Sequence, residues 1–162
     1  EAAHRIKEFA RRLGADDVRI GSLKPEWIYS HKGASPFFKD EGYRSPPYFK
    51  GKPKGYQGST YGEKIALRHH TAISMAFEQD PELTATGTSI AVDYDANSVL
   101  ASVQLARFIR ALGYPARAHN LRNYLIMLVP LAVDAGIGEL GRNGYVVSRK
   151  LGAKSRLSAV QT

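Results

Sequence analysis

The stretch "VDAGIGELGRNGYVVSRKLGAKSRL", Val133 to Leu157, constrains the fold more than any other. Gly136, Gly138 and Gly141 have the spacing of a dinucleotide-binding fingerprint. That fingerprint requires a buried strand before the glycines, a helix after them, and an acidic residue about 20 positions on for the ribose hydroxyls. Here the preceding run is "LIMLVPLAVDA", with Pro130 inside it. Proline is tolerated in the first turn of a helix and poorly within a sheet, so the run predicts a short helix from about Pro130 to Ala135, with Gly136 ending it. The last acidic residue in the chain is Glu139, so no ribose partner follows. The glycines close a helix instead of opening one. With Arg142, Arg149, Lys150, Lys154 and Arg156 behind them, they point to an anion or a large ligand and argue against a dinucleotide.

The remaining segments alternate between the two hydrophobic periods. "AAHRIKEFARRLGADD" places Ile6, Phe9, Ala10 and Leu13 on one helical face, and Gly14 stops it. "DDVRIGSL" alternates as a strand and "PEWIYS" reads as a short extended piece. "RHHTAISMAFE" predicts a central strand. "DANSVLASVQLARFIRALG" is the clearest helix, with Val99, Val103 and Ala106 beside Leu105, Ile109 and Leu112, and Gly113 at its end. "YPARAHN", "GYVVSRKLG" and "SRLSAVQT" read as extended. The order predicts one α/β (α+β) layered domain over residues 1–162. It is interrupted at about 31–62 by a long loop rich in glycine, proline, lysine and aromatics (Phe37, Phe38, Tyr43, Tyr48, Phe49, Tyr56, Tyr61). A loop of that length is usually functional or disordered. A lid or packing loop is favoured over a single-strand nucleic-acid surface.

The net charge of +8 favours anionic partners or simply a solvated basic surface. There is no cysteine, hence no disulfide, thiol nucleophile or cysteine-ligated cluster within these residues. His69 and His70 are adjacent in a predicted strand and would point to opposite faces, so a shared metal is not expected; no metal site is predicted. Nor does any helix-turn-helix or ribonucleoprotein signature point to nucleic acid. Tyr94 lies in "VDYDANS" between Asp93 and Asp95, which would oppose phenolate formation. By itself it reads as a structural tyrosine.

Four segments in this order and spacing, "EFARRLGADDVRIGSL", "EWIYS", "ARFIRALGYPARAHN" and "DAGIGELGRNGYVVSRKLGAKSRL", resemble the corrinoid and iron–sulfur reductive dehalogenases. The last is the most specific. The related epoxyqueuosine reductases carry a lysine-asparagine pattern where this chain has Gly141-Arg142-Asn143. The resemblance implies a nitroreductase-like layered core, a mixed or antiparallel sheet flanked by helices, that binds cobalamin. It also implies two [4Fe-4S] clusters in a following ferredoxin-like segment, absent from these 162 residues.

The implied reaction replaces a carbon–halogen bond by carbon–hydrogen at reduced cobalt, with Tyr94 as proton donor, Arg156 as the cation beside it and Asn120 as a hydrogen-bonding neighbour. In an extended stretch, alternation would turn Asp93 and Asp95 away from Tyr94. Gly136, Gly138, Glu139, Gly141, Arg142 and Asn143 are the implied cofactor-binding residues. Implied partners are a halogenated organic substrate, an iron–sulfur domain or other electron donor, and a membrane anchor protein. Location would be periplasmic and membrane-associated for a respiratory member, cytoplasmic for a catabolic one. The alternative is a corrinoid-binding or carrier module without catalysis.

Overall fold

The structure, a computed structural model, describes residues 1–32, 62–67, 69–79, 91–120 and 123–162, with the backbone alone for 91–95. Its elements run α1 (Ala2–Arg12), β1 (Asp17–Ser22), a 3-10 turn (Pro25–Trp27), β2 (Thr71–Glu78), α2 (Ala91–Ala111), β3 (Arg117–His119), α3 (Leu128–Asp134), β4 (Gly138–Leu140), β5 (Val146–Ser148) and β6 (Ser155–Gln161). Four strands form one sheet in the order β1-β2-β6-β3, and every pairing in it is antiparallel. The class is therefore α+β with an antiparallel sheet. The expected central strand is β2, and β6 lies beside it.

Register divides the sheet into two faces. Phe77 pairs with Arg156, Met75 with Ser158 and Ile73 with Val160. Ala118 also pairs with Val160, and Val18 with Met75. Directly paired residues share a face, so Arg156, Ser158 and Val160 look the same way. On that face Val18, Ile73, Met75, Phe77 and Val160 pack against Ala10 of α1 and against Ala101, Leu105, Ala106 and Ile109 of α2. Phe9 and Phe108 stack between the two helices with ring centroids 4.5 Å apart. The other face carries Ala72, Ala76, Leu157 and Ala159, covered by Leu131 and Ala132 of α3 and by Ile137 and Val146 of a β4–β5 hairpin.

Four local expectations are corrected. The "PEW" piece is a 3-10 turn with proline at its start, a position where proline's fixed φ is favourable. The glycine segment contains a strand, β4, which three residues of "GEL" did not signal. Leu105, Ala106 and Ile109 are buried as expected, but Val103 on α2 and Leu112 just past its end are exposed, and Ser98, Ala101 and Ser102 complete the buried stripe. Small residues at 98, 101 and 102 let this part of α2 lie close to the sheet. Finally, His69 and His70 precede β2 instead of lying within it.

The long loop falls almost wholly outside the described residues. Its two ends are held together: His31 bridges Lys64, Lys32 N–H donates to the Glu63 carbonyl at 2.9 Å, and the Lys32 ammonium meets the Glu63 carboxylate at 2.7 Å. No helix among the described residues is long and apolar enough to cross a membrane.

Candidate functional site

The long helix and the last strand converge at one end of the molecule. α2 is followed by β3, and β3 runs antiparallel to β6, so α2 runs in the same direction as β6. α2 packs against β6, and its buried stripe meets Val160 on the face that also holds Arg156 and Ser158. The β3–β6 ladder ends at the His119–Ala159 pair, and Asn120, the next residue, bridges Asn123. The Asn120 amide nitrogen donates to Ser102 Oγ at 2.9 Å, which sets Ser102 beside the end of that ladder, one strand residue from Ser158. One helical turn earlier, about 6 Å along the axis, is Ser98. Two strand residues earlier, about 7 Å away, is Arg156. Both steps lead toward the first turn of α2, where Tyr94 lies.

Polar side chains are interspersed among apolar ones at this end of the helix–sheet interface. Ser98, Ser102, Asn120 and Ser158 are all buried, and Arg156 is half-buried. The Ser158 hydroxyl has no hydrogen-bond partner among the described residues. A buried hydroxyl left in that state costs about 1–3 kcal/mol. Polar groups are thus concentrated where the sequence placed its three catalytic candidates. Arg156 and Asn120 share a sheet face, and the backbone of Tyr94 belongs to the helix covering it. The described part of Tyr94 is its backbone, and that backbone is helical. The alternation expected to turn Asp93 and Asp95 away from it does not operate, because successive helix residues are about 100° apart.

The glycine segment sits on the opposite face but at the same end of the sheet. The turn after β5 lies across the start of β1 and the end of β2: the Lys150 ammonium donates to the Asp16 carbonyl at 2.7 Å, and Gln79 N–H to the Lys154 carbonyl at 3.2 Å. The glycines themselves have local causes. Gly136 follows α3 at φ 83°, the left-handed region that favours glycine. Gly138 lies against β5 so closely that a Cβ would strike Val147 O and come 2.7 Å from Ser148 Cα.

Two of the glycine N–H groups are engaged within the chain and so are not offered to an anion: Gly136 N–H donates to the Val133 carbonyl at 3.0 Å, and Gly141 N–H to the Tyr145 carbonyl at 2.8 Å. A hairpin uses its own amides to close. Asn143 Oδ1 accepts from Tyr145 N–H at 3.2 Å, Arg142 is exposed, and the exposed Glu139 and Arg149 approach to 3.5 Å. The hairpin's outer surface presents Leu140, Tyr145 and Val147, all exposed.

Sequence reading missed a buried chain behind the site. His119 Nδ1 accepts from Leu125 N–H at 3.1 Å, so its proton is on Nε2, which donates to Gln161 Oε1 at 2.9 Å. The Gln161 amide then donates to His69 Nδ1 at 2.7 Å. Burial pushes the His119 imidazole down to about 4, with Arg117 and His69 adding to the shift and the Gln161 hydrogen bond opposing it. Among the described residues no three His, Asp or Glu side chains gather to hold a metal ion. Ser102 was also missed; its signal was a serine recurring at 98 and 102 on the buried stripe of an otherwise aliphatic helix.

No protein-family model matches the chain. In the solved structures the same layered arrangement recurs. The catabolic reductive dehalogenase NpRdhA superposes with a TM-score of 0.77 at 20% identity, over 99% of this chain and 20% of that one. A structure of selenomethionine-labelled epoxyqueuosine reductase gives 0.57 at 14% identity, over 99% of this chain and 45% of that one. The fold is one shared with part of a reductive dehalogenase, an α+β layer on an antiparallel sheet.

Sequence similarity narrows this further. Tetrachloroethene reductive dehalogenases of Dehalobacter restrictus and Desulfitobacterium hafniense match all of this chain at 31% and 30% identity. The chain belongs to the reductive dehalogenase family and spans about a third of the length of these relatives, 32% of each.

Proposed function

We propose that this chain is the cobalamin-binding catalytic core of a reductive dehalogenase, with the nitroreductase-like layering that the family resemblance implies. The observation carrying this reading is the gathering of Asn120, Arg156 and the first turn of α2 at one polar end of one sheet face. A solved relative with the same fold is described as performing B12-dependent dehalogenation. The residues here fit such a group. A corrin carries its own cobalt in a ring of four nitrogens, so no protein metal cluster is needed. The Ser158 hydroxyl, without a partner among the described residues, offers a polar contact. The hairpin offers exposed Leu140, Tyr145 and Val147 beside Arg142 and Asn143, suited to the methyl groups and amides of a corrin edge. Gly136, Gly138, Glu139 and Gly141 then act chiefly by shaping that hairpin.

When bound, the corrinoid supplies the two electrons that convert a carbon–halogen bond and a proton into carbon–hydrogen and halide. Tyr94 gives the proton. A phenol has a pKa near 10 and is a reluctant donor. The Arg156 guanidinium and the positive end of α2 both stabilise the phenolate left behind. Asn120 orients the phenol or the substrate by hydrogen bonding, and Arg156 attracts the departing halide. The substrate is a halogenated organic compound. These 162 residues contain no cysteine, so the electrons come from iron–sulfur clusters held by residues outside this sequence, on the same protein or on a donor. A membrane anchor partner belongs to the respiratory version of this reading.

The test is a titration with cobalamin followed by visible absorbance, together with turnover of a haloalkene by the reconstituted holoprotein and its Tyr94→Phe variant. Saturable binding, with turnover abolished and binding retained in the variant, is expected. Binding with no turnover in the wild type would favour the carrier reading, and absence of binding would end both.

A further inference from the structure

The hydroxyl of Ser102 stands between α2 and Asn120 with both of its hydrogen-bonding roles in use. It donates its one proton to the Val99 carbonyl at 2.9 Å, and it accepts from Asn120 Nδ2 at 2.9 Å. Ser102 is fully buried and Asn120 is 5% exposed, so solvent offers neither an easy substitute.

We propose that Ser102 is a positioning residue that locks the carboxamide of Asn120 in one rotation and so turns its Oδ1 toward the site. This rests on the reading of Asn120 as a site residue. The donor and acceptor inventory fixes the direction. A hydroxyl has one proton, and here it goes to the carbonyl one turn back along the helix. The oxygen therefore meets Asn120 with lone pairs, and only an N–H can lie against it. Rotating the amide by 180° would set two acceptors face to face, or make the hydroxyl abandon the Val99 carbonyl to donate to Oδ1; either way a buried hydrogen bond is lost. The carbonyl oxygen is thus held away from α2. Asn120 is further restrained through its backbone, whose carbonyl accepts from Asn123 N–H at 2.9 Å. What remains adjustable in Asn120 is the amide rotation, and Ser102 removes that freedom. The sequence logic agrees: a buried stripe facing aliphatic residues has no use for a serine at 102 unless the serine has a polar partner across the interface.

The experiment compares Ser102→Ala and Ser102→Thr in the cobalamin-loaded protein. Threonine in a helix keeps an Oγ that can bond the carbonyl one turn back, so it should act as the conservative rescue. The first readout is the solvent exchange of the Asn120 side-chain amide protons by NMR, assigned through their loss in Asn120→Ala. Exchange should accelerate roughly tenfold or more in Ser102→Ala and stay near wild type in Ser102→Thr. The second readout is turnover: Ser102→Ala should lower kcat roughly 10- to 100-fold with little change in KM, and should have no further effect in an Asn120→Ala background. Unchanged amide exchange in Ser102→Ala, or fully additive losses in the double variant, would overturn the proposal. The exchange readout decides it even if the wild type performs no dehalogenation, which would sink only the functional reading.

Discussion

Replacing Gly138 by alanine separates a glycine required by packing from one required by a ligand. A Cβ at position 138 would strike the Val147 carbonyl oxygen and come within 2.7 Å of Ser148 Cα and of the Val147 carbonyl carbon. All three are backbone atoms, so no side-chain rotation relieves the clash, and β4 must separate from β5. Overpacking of this kind costs about 3 kcal/mol, the upper part of its usual range. In a domain of this size that lowers Tm by about 6–12 °C. Gly136→Ala is the control. Its φ is 83° and nothing lies within 4 Å of the added Cβ, so only the left-handed conformation is penalised. That penalty is about 1–2 kcal/mol, partly offset by the entropy alanine removes from the unfolded chain, leaving about 1 kcal/mol. Urea titration followed by fluorescence of Trp27, the single tryptophan, reads both. A wild-type midpoint for Gly138→Ala, coupled with weakened cobalamin binding, would refute the packing argument and restore the glycine to the ligand.

The histidine chain makes a pH prediction. Unfolded, His119 titrates near 6.5; folded, near 4. The unfolded state therefore binds more protons between those values, so stability is fully present above about pH 6.5 and is lost as pH falls toward 4, by about 3 kcal/mol in all. His119→Gln should flatten that part of the stability profile, and an equally steep profile would show that another group carries it. At the polar end, Arg156→Lys keeps the charge but loses the planar fork, so partial turnover is expected, while its loss should not add to that of Tyr94→Phe. Additive kinetic losses would mean that the two residues do not act as a unit. In the core, Leu105→Ala empties a fully buried position and should cost about 3 kcal/mol, against less than about 0.5 kcal/mol for Leu112→Ala at the exposed end of the same helix; equal costs would contradict the orientation of α2.

Local chemistry made several features readable in advance. The period of Ile6, Phe9, Ala10 and Leu13 specified α1, alternation specified β1, and the near-continuous apolar run "TAISMAF" specified β2 as a central strand. Pro130 and Gly136 bracketed α3 because one is favoured where a helix begins and the other where it ends. Sequence also placed Arg156 on the last strand, and it placed Tyr94 just before the long helix, whereas Tyr94 lies within the first turn. It misjudged the start of that helix, because "AVDYD" shows no strong capping signal. It also missed β4, whose three residues are too few to display a period.

What the sequence by itself determined is most of the elements, their order, and the residue types that could do chemistry. Each of these depends on neighbours within a turn or two of chain. The tertiary structure decided which side of α2 is buried, that Ser102 rather than Val103 faces the sheet, and that Asn120 and Arg156 share one face while the glycine hairpin occupies the other. It also decided that His69, Gln161 and His119, the outermost two of them 92 positions apart, form one hydrogen-bonded chain. The physical reason is register. Strand pairing fixes faces only when β2, β3 and β6 meet, and a shift of one residue would have sent every one of these side chains to the opposite side.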